Sequence, residues 1–222
     1  MQIAIDGPSG AGKSSVAKAV AKKMGIVYVD TGALYRTIGY YVRSQGIARE
    51  DVAGILSCLP QITIEVRYED GAQHVYLNGE DLGERIREPE ISMYASAVSA
   101  VPAVRAFLLD TQHDIAAKTS VIMDGRDIGT VILPNADVKV YLFASDEARA
   151  RRRTLELQGK GIDAKYEDVL REMRERDHND STREVAPAVA AADAVMLDNS
   201  DMTVEETADA ILALAVGVKE GV

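Results

Sequence analysis

The sequence predicts an α/β fold in which a parallel sheet is wrapped by helices. Three observations carry that expectation: short apolar strand patterns alternate with helical ones, five such strands occur along the chain, and a glycine-rich turn follows the first of them at once. Folds of this class bind ligands at the carboxyl ends of their strands.

Residues 1–6 form the first apolar strand, and Gly7, Pro8, Ser9, Gly10, Ala11, Gly12, Lys13 and Ser14 follow as G-x-x-x-x-G-K-S. Glycines at these positions let successive backbone N–H groups point inward. The lysine then reaches the outer phosphates of a triphosphate, and the hydroxyl is available to magnesium. Ser15 opens an Ala/Val/Lys helix over 15–24 that Gly25 stops. Residues 26–30 are a second strand ending in Asp30, and Thr31 with Gly32 opens a helix over 33–45 closed by Gly46. Arg36 lies one turn into that helix, where its side chain can look back over the strand ends.

Residues 62–82 break the rhythm. Ile62, Ile64, Val66 and Tyr68 alternate with polar residues, Asp70 and Gly71 make a turn, an apolar pattern resumes over 74–77, and Asn78-Gly79 turns again. The expectation is a small antiparallel meander inserted into an α/β chain, either a surface decoration or part of a substrate-binding flap. Over 91–118 a helical pattern is interrupted by Pro102, with Val101, Val104, Leu108 and Ile115 on the buried side and Ser96 and Arg105 flanking the break. Residues 120–124 are another buried strand ending in Asp124, followed by Gly125-Arg126-Asp127-Ile128-Gly129-Thr130. Strands at 138–143 and 194–197 complete the set. Ser145 with Asp146 and Glu147 caps the helix after the former, and Thr203-Val204-Glu205-Glu206 is a capping box for the last helix.

Half of the chain's arginines fall at 149, 151, 152, 153, 171, 174, 176 and 183. This stretch reads either as a solvated charged face or as the two helices of a lid, joined through 158–165, that carries cations over bound phosphates. Phosphoryl transfer asks for positioning and positive charge rather than covalent chemistry. Lys13, Arg36, Arg126 and the lid arginines suit that need, because the planar guanidinium grips phosphate oxygens two at a time. Asp124 reads either as the carboxylate that orders magnesium-bound water or as a cap for the turn after its strand.

Composition narrows the classes further. With 222 residues and 47% hydrophobic content the chain buries a core of its own, and its net charge of −10 disfavours a nucleic-acid polymer or an anionic membrane as partner. Cys58 stands alone, which excludes an internal disulfide and a cysteine-based zinc set, and His74, His113 and His178 are scattered. With no apolar run of membrane-spanning length and no signal-peptide pattern at the start, the expected location is cytoplasmic. The base-reading Asn-Lys-x-Asp of GTPase switches is absent. That leaves a small-molecule kinase, with a non-kinase ATP-binding or ATPase module as the alternative.

Four stretches now combine: the loop from Gly7 through Ser14, Asp30-Thr31-Gly32-Ala33-Leu34-Tyr35-Arg36, Asp124-Gly125-Arg126-Asp127-Ile128-Gly129-Thr130, and Glu175-Arg176-Asp177. In this order they resemble bacterial cytidylate kinases of the nucleoside monophosphate kinase family, and the similarity runs nearly end to end. The resemblance implies a three-layer P-loop nucleoside monophosphate kinase fold with a five-stranded parallel sheet. It also implies an antiparallel β insertion in the monophosphate-binding region and an arginine-rich helical lid. On that pattern the single domain divides into a core (about 1–32, 84–148 and 185–222), a monophosphate-binding region (about 33–83) and a lid (about 149–184).

The implied reaction is phosphoryl transfer from ATP to CMP or dCMP, with Mg2+, by a monomer. Carried over by residue, the resemblance assigns catalysis to Lys13, Arg36, Arg126 and Arg183. It assigns ATP to Gly7, Pro8, Ser9, Gly10, Ala11, Gly12, Lys13, Ser14 and Ser15, and the metal to Ser14 and Asp124. Thr31, Arg105 and Asp127 would face cytosine, and Ser96, Arg176 and Asp180 the sugar, while Arg36, Arg126 and Arg183 hold the CMP phosphate. Thr31 stands where the family pattern has a serine. Physical chemistry supports the base assignment: cytosine presents an amino donor beside two acceptors, which match a carboxylate and an arginine. Uracil would turn a carbonyl toward the carboxylate and leave buried polar groups unpaired. Another nucleoside monophosphate or a shikimate-like acid is the alternative acceptor.

Overall fold

The computed structural model describes residues 1–69 and 71–220. In chain order the elements are β1 (Gln2–Asp6), α1 (Lys13–Met24), β2 (Val27–Asp30), α2 (Thr31–Ser44), α3 (Val52–Cys58), β3 (Ile64–Glu69), β4 (Ala72–Leu77), β5 (Glu80–Asp81), α4 (Pro89–Ser99), α5 (Pro102–Lys118), β6 (Val121–Gly125), β7 (Val138–Phe143), α6 (Asp146–Gly159), α7 (Tyr166–Thr182), β8 (Val195–Asp198) and α8 (Val204–Glu220). The chain divides into two units, one of Met1–Val27 with Thr119–Val222 and one of Tyr28–Lys118.

The expected parallel sheet has five strands in the order β2-β6-β1-β7-β8. Ile5 is in register with Asp124 of β6 and Val140 of β7, and Phe143 with Asp198 of β8, so the carboxyl ends of these strands reach one edge together. Near-continuous apolar runs mark strands buried on both faces. Accordingly Ile3, Ile5, Ile122, Met123 and Leu142 are fully buried. The loop after β1 leaves at that edge, and Gly7 is required there: its φ is +148°, and a Cβ would meet the Leu142 carbonyl oxygen at 1.9 Å. In the same unit α6 and α7 pack through Ala150, Leu157, Val169 and Met173. The last helix starts as its capping box requires, with Thr203 N–H donating to Glu206 Oε2 at 2.8 Å and Glu206 N–H donating to Thr203 Oγ1 at 3.2 Å.

The second unit has its own core, in which Leu34, Ile38, Val42, Ile55, Val98, Val104 and Leu108 are joined by Val75 and Leu77 of β4. The meander forms as expected, with β3 pairing antiparallel to β4 and β4 to β5. Asp70 of its first turn lies outside the described residues. α2 begins at Thr31, two residues ahead of the expected start, because Asp30 Oδ1 accepts from Ala33 N–H at 2.9 Å and caps the helix from outside. Pro102 opens α5 rather than continuing α4, and the two helices bend by 95° at the break. Val101, Val104 and Leu108 are buried as expected, while Ile115 is half-buried near the end of α5. A short helix, α3, follows α2, and Asp51 caps it by accepting from Gly54 N–H at 2.9 Å.

Candidate active site

The first unit assembles the loop. Gly12 adopts φ 85° and α1 begins without a side-chain cap, so the first turn presents backbone N–H groups and the positive end of the helix dipole toward the loop. Lys13 is buried, and its Nζ donates to the carbonyls of Gly7 at 2.8 Å and Pro8 at 2.7 Å. Burial, with Arg126 adding to it, holds the Lys13 pKa well below the usual lysine range against the opposing pull of Asp124. Ser14 Oγ donates to Asp124 Oδ2 at 2.9 Å. Thus the two residues expected to serve a metal come together, one from α1 and one from β6.

The arginine-rich helices engage the same loop. Arg149 is buried, its Nη1 donates to Ser9 O at 2.6 Å and pairs with Asp177, and Asp177 Oδ1 accepts from Ser9 N–H at 2.8 Å. Arg176 Nη1 donates to Ser9 Oγ at 3.4 Å. Asp180 is buried, with Arg126 Nε at 3.0 Å and Arg176 Nε at 3.9 Å from its Oδ2. Arg183 donates through Nε to Ala186 O at 2.6 Å and lies 3.5 Å from Asp127 Oδ1. Around these groups a cavity of 320 Å³ is lined by Pro8, Arg126, Tyr141, Arg149, Asp177 and Asp180, among others.

Two residues with no role assigned from sequence, and one counted there only among the lid cations, build this region. Asp6 is buried and accepts from Ile128 N–H and Gly129 N–H, both at 2.7 Å, which anchors the segment that follows Arg126 and Asp127. Burial pushes its pKa up to about 6; the amides of Gly129 and Ile128 work against that rise, and the Asp127 charge adds to it. Asn199 is buried after β8 and its Nδ2 donates to Ala11 O at 2.9 Å. Arg149 is the third. A carboxylate at the end of the first strand was a visible signal for Asp6, whereas Asn199 sits in an ordinary polar turn and nothing local marks it.

The second unit holds the other assigned residues. Asp30 Oδ2 accepts from Arg36 Nη2 at 2.7 Å, with Arg87 Nη2 at 3.9 Å. Burial works to raise the Asp30 pKa, but Arg36, Arg87 and the Ala33 amide outweigh it and hold the carboxyl below its usual range. Arg36 Nε is buried without a hydrogen-bond partner among the described residues, an N–H that costs free energy until something accepts from it. Thr31 is buried in the first turn of α2. Arg105 is buried on α5, donates from Nη1 to Ser99 O at 3.3 Å and sits 5.6 Å from the ring centroid of Tyr35, the neighbour of Arg36 on α2. Ser96 lies half-buried on α4 and its carbonyl accepts from Ser99 Oγ at 2.8 Å.

The first unit therefore gathers the loop, Ser14 with Asp124, and Arg126, Asp127, Arg176, Asp180 and Arg183; the second gathers Thr31, Arg36 and Arg105 around α2, with Ser96 on α4. Comparison with known proteins identifies the family. The cytidylate kinase family model matches residues 3–216. The cytidylate kinase of Caldicellulosiruptor saccharolyticus is 48% identical over 214 residues, covering 96% of this chain and 95% of that protein. That of Carboxydothermus hydrogenoformans is 45% identical over 222 residues, covering 100% of both. A crystal structure of an uncharacterized protein from Eubacterium ventriosum shares the fold, with a TM-score of 0.52 at 13% identity over 96% of each chain. From its P-loop motif to its final helix, the chain belongs to the cytidylate kinase family.

Proposed function

We propose that this protein transfers the γ-phosphoryl group of ATP to CMP or dCMP, giving ADP and CDP or dCDP. One observation carries the reading beyond family membership: Lys13 and the Ser14–Asp124 pair stand together where α1 opens behind the glycine-rich loop. An oxygen of the CMP phosphate attacks the γ-phosphorus, the bond to the β-phosphate oxygen breaks, and ADP leaves with the electron pair. Attacking and leaving groups are both anionic, so catalysis consists of alignment and charge neutralisation.

The loop residues Gly7 through Ser15 bind ATP, and Lys13 reaches its outer phosphates. Arg36, Arg126 and Arg183 hold the CMP phosphate and the charge spread over the transferred group. The buried, unpartnered Nε of Arg36 supports this role, because a phosphate oxygen would satisfy it. Thr31, Arg105 and Asp127 read cytosine, and Ser96, Arg176 and Asp180 serve the sugar. Ser14 and Asp124 supply hard oxygen donors that suit Mg2+, which would neutralise the ATP phosphates, with Asp124 acting through bound water.

In this reading the chain works as a core (about 1–32, 84–148 and 185–222), a monophosphate-binding region (about 33–83) and a lid (about 149–184). Lid closure excludes water and spares ATP from hydrolysis. Slower amide exchange over the lid when both nucleotides bind is the expected result, and unchanged exchange contradicts a lid. The protein acts as a cytoplasmic monomer, with neither a nucleic-acid polymer nor a membrane as partner; among the described residues no single helix is long and apolar enough to cross one.

The deciding assay measures ADP release from ATP with CMP, dCMP, UMP, AMP, GMP and shikimate. Release that depends on CMP and dCMP is expected. ATP turnover that needs no acceptor, or that responds best to shikimate, overturns the reading.

A further inference from the structure

The antiparallel insertion reaches the acceptor half of the site through a specific contact. Gln73 is the second residue of β4, and its side-chain amide spans both polar groups of the Asp30 residue: Oε1 accepts from Asp30 N–H at 2.8 Å and Nε2 donates to Asp30 O at 3.1 Å. A primary amide offers one acceptor and donors on adjacent atoms, which suits a residue presenting one N–H and one C=O. The Asp30 backbone so held carries the carboxylate that caps α2 through Ala33 and grips Arg36 Nη2. Little slack remains in that arrangement, since a Cβ added at Gly32 would lie 2.9 Å from Arg36 Nη1 and 3.2 Å from Asp30 Oδ1. The chain of contacts runs from Gln73 to Asp30 to Arg36, and ends at the buried Nε of Arg36.

We infer that Gln73 is a positioning residue for the acceptor phosphate. It clamps the Asp30 peptide so that the Asp30 carboxylate holds the Arg36 guanidinium in one orientation. This gives the insertion a task in the reaction beyond covering the core of its unit. The inference rests on the proposed role of Arg36 toward the CMP phosphate. Orientation matters here because a misplaced guanidinium loses bidentate contact with phosphate while keeping its charge.

Gln73→Met keeps the length of the side chain and removes both hydrogen bonds. The expected result is a rise in KM for CMP of about fivefold to tenfold, the low end of what two neutral hydrogen bonds contribute, with KM for ATP within about twofold of the parent. The decisive comparison is a cycle with Arg36→Gln, because residues acting through one another are not additive. In the Arg36→Gln background Gln73→Met should change KM for CMP by less than about twofold. The same factor in both backgrounds, no change in either, or a matched rise in KM for ATP overturns the inference, whatever happens to thermal stability. If Arg36→Gln alone leaves KM for CMP unaltered, the fault lies with the reading of Arg36 itself.

Discussion

Lys13, Arg126 and Arg149 of the first unit are held differently from Arg36 of the second. In the first unit these three are tied to acceptors that the fold supplies: Lys13 to the Gly7 and Pro8 carbonyls, Arg149 to Ser9 and Asp177, Arg126 to Asp180. In the second, Asp30 holds one edge of Arg36 and leaves Nε of that residue buried with no acceptor. The difference teaches where preorganisation costs free energy. A loop that binds a triphosphate is built from backbone N–H groups whose placement is secured by Gly7, Asn199 and Asp177, so its shape depends on hydrogen bonds within the protein. A buried guanidinium N–H with no acceptor among the described residues stays under-satisfied until an acceptor arrives, which is a small reservoir of binding energy.

Removing Lys13 tests the contrast most severely. Lys13→Ala should lower kcat by roughly a hundred- to a thousandfold, the loss typical for a preorganised group facing developing charge. CMP affinity should stay within about threefold of the parent if, as proposed, Lys13 serves the triphosphate and the transition state. Steady-state kinetics with a direct CMP titration measures both, and parallel loss of CMP affinity would show that Lys13 is not confined to the ATP side. Asp127→Ala comes next: the ratio of kcat/KM for CMP to that for UMP should fall by at least about tenfold, since the buried carboxylate no longer penalises the uracil carbonyl. A ratio equal to the parent's removes Asp127 from base recognition.

A further expected effect concerns stability and pH. Asp6 has its folded pKa raised from 3.8 to about 6, mainly by burial. Between those values the folded chain binds more protons than the unfolded chain, so this group makes stability fall as pH rises through the window; above about pH 6 its cost is constant. The size is about 3 kcal/mol at 1.36 kcal/mol per unit. Urea unfolding of the parent and Asp6→Asn from pH 4 to 7 should show a shallower decline, or a steeper gain, with pH in the variant. Identical pH slopes would mean that Asp6 is not the buried titrating carboxylate it looks to be.

Much of this arrangement was legible before any coordinates. The strand, loop and helix periodicities announced the five parallel strands, and Gly7 through Ser14 announced a triphosphate loop, because both signals are local: a few residues set the backbone path and the donors it exposes. The place of Thr31 and Arg36, in the first two turns of a helix that follows a strand end, was legible for the same reason. The start of α2 was misplaced by two residues because Asp30 caps it from within what reads as strand. Asn199, Arg149 and Asp6 were not seen as builders of the site, although Arg149 was visible as one of many lid cations. Their partners lie 188, 140 and 122 residues away, at Ala11, Ser9 and Ile128.

Amino-acid order alone settled the fold class, the phosphate chemistry and the family, since each rests on residue types at short fixed spacings. Which carboxylate restrains which arginine was a matter for the folded chain. Glu175, Asp177 and Asp180 are equally acidic in the sequence, yet packing of α7 turns Asp177 to Ser9 and Arg149 and Asp180 to Arg126. Likewise, nothing about Gln73 in its strand marks it out from any polar residue of a meander. Its importance comes from register, because pairing of β3 with β4 carries that amide to the peptide of Asp30, 43 residues earlier in the chain.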